Sequence, residues 1–151
     1  MIPDVIERDI LIEAPVQTVW SVITEPAQIV KWFSDTAEVD LRPGGAGTLG
    51  FTDRATSQHA TVRLVVEMVE VPHTFAFRWD HPEGAKPDES NSLRMEFKLI
   101  PEGAHTTLRV TESGFERFER PADEKCAYLD AHNKGWDAHL ASLREYVAGQ
   151  H

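Results

Sequence analysis

The sequence predicts an α+β domain, one antiparallel sheet followed by a single long helix, on three observations. Cys126, Leu129, Asn133, Trp136, Leu140, Leu143 and Val147 recur at steps of three and four, which marks residues 121–148 as an amphipathic helix with its stripe on one face. From Thr36 to Ser113 apolar and polar residues alternate with period two, the pattern of strands with one dry and one wet face. A chain of 151 residues has the length of one domain and buries about two-thirds of its unfolded surface, so a single core serves without a disulfide or metal.

The elements follow in order. Ile6, Ile10 and Ile12 share a parity in a first strand that stops at Pro15, and Val16, Val19, Trp20 and Ile23 mark a short helix. Pro26 at a first helical position, with Ile29, Val30, Trp32 and Phe33, predicts a second short helix ending near Ser34. Ala37, Val39 and Leu41 alternate before the turn Arg42-Pro43-Gly44-Gly45, and Leu49 and Phe51 after it, so 36–52 reads as a hairpin. Val62, Leu64, Val66 and Met68 then share one face, as do Phe75, Phe77 and Trp79, then Leu93, Met95, Phe97 and Leu99, then Leu108 and Val110. A sheet with one aromatic face must bury it, and the long helix is the element large enough to do so.

Composition narrows the function classes. A formal charge of −10, with no Lys/Arg cluster, argues against nucleic acid and anionic membranes as partners. No run approaches the length of a membrane-spanning helix, and Met1 to Asp9 lacks the apolar stretch of a signal peptide, so a soluble cytoplasmic protein is expected. Cys126, the only cysteine, lies on the helix stripe and reads as a buried thiol.

Several motifs point to chemistry more weakly than they first suggest. Gly45-Ala46-Gly47-Thr48-Leu49-Gly50 matches the dinucleotide-binding string GxGxxG, but a strand-like alternation follows it where a phosphate site needs a helix, so it reads as a glycine-rich hairpin. His132 and His139 are seven apart on the helix, outside the spacing of a zinc helix, and no CxxC, HExxH or nucleophile elbow is present. No cofactor or metal is expected.

Ile12-Glu13-Ala14-Pro15 with Val19-Trp20, Lys31-Trp32-Phe33, Asp40-Leu41-Arg42-Pro43-Gly44-Gly45, Phe77-Arg78-Trp79, Leu108 to Phe115, and Gly135-Trp136 with Leu140 and Leu143 together carry a resemblance over nearly the whole chain. In order and spacing they resemble the START-like helix-grip (SRPBCC) superfamily, and within it the homologues of the activator of the heat-shock protein 90 ATPase. The resemblance implies a curved seven-stranded antiparallel sheet around a long C-terminal helix, two short helices after the first strand, and a cavity between sheet and helix. Eukaryotic chaperone activators of this kind carry an additional N-terminal domain with no counterpart in this sequence, so the resemblance bears on fold before activity.

The candidate cavity residues are Trp32, Phe33, Val66, Phe75, Phe77, Trp79, Met95, Phe97, Glu112, Asn133 and Trp136. The apolar members either pack as core or line a pocket of a few hundred cubic ångströms. Glu112 shares the parity of Leu108 and Val110, so it points toward the helix, and Asn133 occupies a stripe position; each either finds an ordinary hydrogen-bond partner or orients the polar end of a ligand. Gly135 within the helix reads either as close packing or as a bend over the pocket. Alternating connections of a meander place His59, His81 and Phe115 at one end of the sheet, as a rim. The expected function is the binding of a small hydrophobic or amphipathic molecule, by a monomer or homodimer. Two alternatives stand beside it: a polyketide-cyclase-like enzyme using Glu112 for acid/base work, and a chaperone-interacting protein with an exposed recognition surface.

Overall fold

The computed structural model describes residues 5–53, 56–79, 92–114 and 122–148, without the side chains of Asp53, Gln58, His59, Ala122, 124–129 and 131–133. Within them the chain runs β1 (Val5–Ile12), α1 (Val16–Thr24), α2 (Pro26–Ile29), β2 (Thr36–Val39), β3 (Ala46–Asp53), β4 (Gln58–Glu70), β5 (Thr74–Trp79), β6 (Leu93–Glu102), β7 (His105–Ser113) and α3 (Ala122–Ala148). The seven strands form one antiparallel sheet in the order β1-β7-β6-β5-β4-β3-β2, so consecutive strands from β2 to β7 pair as a meander and β1 closes against β7. The connection from β1 to β2 crosses the sheet from one edge to the other and carries α1 and α2. Edge strand β2 has only four residues and β1 carries Glu7, Arg8 and Asp9, features that discourage further strand pairing.

Alternation becomes burial along each strand. In β7 every second residue, Thr106, Leu108, Val110 and Glu112, is buried, and in β6 Leu93, Met95, Phe97 and Leu99 are. Trp136, Leu140, Leu143 and Val147 of the α3 stripe are buried as well. Cys126, Leu129 and Asn133 of that stripe lie outside the described side chains. The core cluster joins this inner face to Val16, Val19, Trp20, Val22 and Ile23 of α1 and to Ile29 of α2.

Three details depart from the sequence expectation. A bulge between Val66 and Met68 adds one residue to β4, so Val66 faces Phe77 while Met68 comes opposite Ala76 and Val69 opposite Phe75. Val69, rather than Met68, therefore packs on the core. Leu41 leaves the alternation for the turn and is 37% exposed. Helix α2 stops at Ile29 instead of near Ser34; Glu25, held extended before Pro26, separates it from α1, and single-turn hydrogen bonds carry the chain to Phe33. In the β2–β3 turn Gly44 takes φ +84°, and a Cβ on Gly45 would lie 2.0 Å from the Asp40 carbonyl oxygen, so both glycines are required.

Candidate functional site

Among the described residues, the inner face of the sheet buries one acidic side chain, near the end of β7. Glu112, on the last turn of pleat in β7, is fully buried, opposite Ile6 of β1 and Met95 of β6. The Trp79 indole donates to its Oε2 at 2.7 Å, and the Trp136 indole, from α3, donates to its Oε1 at 3.0 Å. Each oxygen thus accepts at least one indole N–H. Burial without these donors would cost several kcal/mol, on the order of the unpaired-charge penalty, so Glu112 and the two tryptophans behave as one unit. That unit links three elements, β5, β7 and α3.

Around it lies a continuous layer of rings. Phe33 is its hub: it stacks on Trp32 at 5.1 Å and on Trp136 at 5.3 Å, tilts against Trp79 at 5.8 Å, and meets Phe51 and His139 edge-on at 5.5 and 4.7 Å. Phe97 touches both Trp32 and Trp136, and Phe75 and Phe77 complete the layer over β5. Trp32 also donates its indole N–H to the Val22 carbonyl at 2.9 Å, which fixes α1 against the segment after α2. Ring pairs in these offset and edge-on geometries each add about 0.5–1.5 kcal/mol beyond their buried area.

Beneath the rings is an apolar gap. Ile23, Ile29, Trp32, Phe33, Val39, Leu49, Leu64, Phe75, Phe77 and Phe97 line it, and the space open to the centre of a water molecule is about 10 Å³. That is room for about one water, and the wholly apolar lining offers water no partner. Phe33, which lines this gap, stacks on Trp136 of α3.

Of the sequence-predicted cavity residues, Trp32, Phe33, Phe75, Phe77 and Phe97 line the gap. Trp79, Glu112 and Trp136 form the hydrogen-bonded centre beside it, while Val66 and Met95 are buried under the layer without lining the gap. The side chains of Asn133 and His59, and all of His81 and Phe115, lie outside the described residues. His139 was missed. It is half-buried against Phe33, Phe51 and Trp136, and its position three residues after Trp136, on the same helix face, was the available signal. Ile23, Ile29, Val39, Leu49 and Leu64 also line the gap; in the sequence they mark helix and strand faces, because period and parity report a face without reporting where space remains.

Other features of the sequence find plain structural roles. Gly45 to Gly50 form the end of a turn and the paired strand β3, with no helix following. Among the described residues, a Cβ on Gly135 would meet nothing nearer than His139 Cδ2 at 4.0 Å, so packing against them does not require glycine there. Among the described residues no three His, Cys, Asp or Glu side chains form a metal-sized cluster, and no helix is long and apolar enough to cross a membrane.

The outer face of the sheet is ionic. Arg78 and Arg94 lie directly opposite one another on β5 and β6, and Glu67 bridges them, accepting from Arg78 Nε at 2.8 Å and Arg94 Nε at 2.9 Å. Arg94 also donates to Glu96 at 2.7 Å; partial burial disfavours its charge, but the hydrogen bonds to Glu96 and Glu67 outweigh that and hold its pKa above the ordinary value.

Comparison with known proteins agrees with this architecture. The family model for Activator of Hsp90 ATPase homolog 1-like protein matches residues 13–148. No curated protein matches the chain. A protein from Nitrosomonas europaea superposes with a TM-score of 0.80 at 19% identity, over 97% of this chain and 96% of its own. The Aha1 dimer from Colwellia psychrerythraea follows the same fold, with a TM-score of 0.70 at 18% identity over 95% of each chain. DynU16, from the dynemicin biosynthetic locus, matches with a TM-score of 0.73 at 25% identity; 97% of this chain is covered but only 48% of DynU16, so the chain spans about half of that protein. With the helix-grip topology in place and the family model covering nearly all of the described fold, the chain belongs to the Activator of Hsp90 ATPase homolog 1-like family.

Proposed function

We propose that this protein binds a small apolar or amphipathic molecule in the ring layer between the sheet and α3. The observation that carries the reading is the pairing of a dry aromatic gap with a buried carboxylate one ring away, since pockets for small molecules combine apolar walls with a few fixed polar groups. In the described state the gap is nearly closed, so a guest enters by displacing rings, with Phe33 and Trp136 the pair to separate. Binding then selects an open arrangement and is weakened by whatever closure stabilises.

The polyketide-cyclase-like alternative would make Glu112 a proton carrier. Both of its oxygens accept from indoles, which would orient the carboxyl group and leave its second lone pairs for proton transfer. The chaperone alternative calls for a continuous exposed apolar surface. Among the described residues the exposed large apolar side chains, Val5, Leu11, Leu41 and Val71, are scattered over β1 and two turns. The family name and the dimer reported for the Colwellia protein leave a homodimer or a chaperone partner compatible with this fold.

Native mass spectrometry of the purified chain tests the proposal. A retained small molecule, lost on denaturation, is the expected result. Protein that is always bare, and that stays bare after incubation with a panel of apolar compounds, would refute it.

A further inference from the structure

We infer that a guest reaches the ring layer through the seam between α2 and edge strand β2, that Val39 is the gate of this seam, and that an unbranched apolar chain is the shape it admits. This rests on the binding reading above. Of the described residues that line the gap, Val39 is half-buried and every other is buried, so the gap comes nearest to solvent at this side chain. The wall there is thin. Val39, Gly47 and Leu64 stand opposite one another across β2, β3 and β4, and a Cβ on Gly47 would lie 2.9 Å from Leu64 Cδ1, so the middle strand sets no side chain between the leucine and the valine. Ile29 of α2, the helix beside β2, lines the gap from across the seam. The backbone around the seam is fastened: the Asp35 N–H donates to the Gly50 carbonyl at 2.8 Å before β2, the Asp40 N–H to the Ala46 carbonyl at 3.1 Å after it, and the Tyr146 hydroxyl of α3 donates to Gln28 of α2. The part free to move is one valine side chain, and rotamer changes near the surface are among the fastest motions of a protein. The rival way in runs past Phe33 to half-buried His139, and it requires Phe33 to leave its stacks on both Trp32 and Trp136 before anything enters. An opening one valine wide in a fixed backbone frame passes a methylene chain end-on and holds back a ring; Phe33 and Trp136 then part from within to seat the guest.

Decanol and cyclodecanol, uncharged alcohols of equal carbon number, test this by stopped-flow mixing with the folded chain, read through tryptophan emission because Trp32 lines the gap. Decanol should associate at least about tenfold faster than cyclodecanol. A gate changes both directions of travel together, whereas a lost wall contact changes dissociation alone. Val39→Ala should therefore speed association and dissociation of cyclodecanol by about fivefold or more each, and Val39→Phe should slow both for decanol by a similar factor, with Kd held within about threefold in either case. His139→Ala should accelerate either alcohol less than Val39→Ala does. The Val39→Ala arm remains decisive if Val39→Phe does not fold. Cyclodecanol entering as fast as decanol, rates unmoved by the Val39 variants, a Kd that shifts through dissociation alone, or a larger acceleration from His139→Ala would each overturn the inference while leaving the site occupied. If neither alcohol binds the folded chain, by tryptophan emission or by native mass spectrometry, the binding reading itself falls.

Discussion

Glu67 and Glu112 stand on opposite faces of the same sheet, and each carboxylate accepts N–H groups from two other elements. Glu67 is about one-third exposed, and its partners are two guanidinium groups that also reach water. Glu112 is fully buried, and it accepts from two neutral indoles. Ion pairs of the first kind contribute about 0–1 kcal/mol, because water and salt compete for both charges. At the second, water offers no substitute, so a lost donor leaves a charge stranded in an apolar layer. The outer face can therefore change cheaply, whereas the inner face is committed to one arrangement, closed by Trp136 from α3. Opening that arrangement is what a ligand must achieve.

The largest effect should come from removing the helix's contribution. Trp136→Ala deletes a buried indole and one donor to Glu112 together, and should lower stability by about 3–5 kcal/mol, read from the denaturant midpoint with the slope unchanged. A near-neutral result would mean that the inner face is already loose and would erase the contrast. Glu112→Gln should cost about 1–3 kcal/mol, because the carboxamide accepts through a single oxygen and turns its NH₂ toward the remaining indole N–H.

How much of this was legible beforehand follows from what each signal reports. Parity along β7 placed Glu112 on the inner face, and the stripe on α3 placed Trp136 over the sheet, because burial is periodic in strands and helices alike. Their meeting was not legible. Trp79 and Trp136 lie 33 and 24 residues from Glu112 in sequence, and only the register of β5 with β6 and β7, together with the path of α3, brings them to one carboxylate. The bulge at Val66/Met68 defeated parity outright, exchanging Met68 for Val69 in the core, since one added residue inverts every later side chain. The volume of the gap was equally hidden: the sequence shows which rings share a layer, but free space depends on how Phe33 and Trp136 stack.

Smaller effects sharpen the comparison. Gly135→Ala should stabilise α3 by about 0.5–1 kcal/mol, since among the described residues its Cβ meets only the edge of His139; destabilisation would show that the helix needs to bend over the site. On the outer face, Glu67→Gln should shift stability by less than about 1 kcal/mol, and the shift should shrink as salt is added. A loss as large as that of Glu112→Gln would remove the distinction between the faces. The weakest effect belongs to Asp9, whose hydrogen bonds from Arg109 hold its pKa below the ordinary 3.8 against a small opposing effect of burial. A depressed carboxylate contributes stability above its unfolded pKa and loses it as pH falls through its folded one. Any difference between wild type and Asp9→Asn in neutral solution should therefore begin to shrink as the pH falls past 3.8 and vanish only below the depressed folded pKa.

Whether the ring layer under α3 admits a guest is tested most directly by titrating the folded chain with an apolar dye whose emission rises on burial, while following its four tryptophans. The account predicts saturation at about one dye per chain, with quenching of tryptophan emission that is reduced in Trp136→Phe. A dye that stays dark and leaves tryptophan emission unchanged, while the protein remains folded, would show that the layer is solid core and contradict the account.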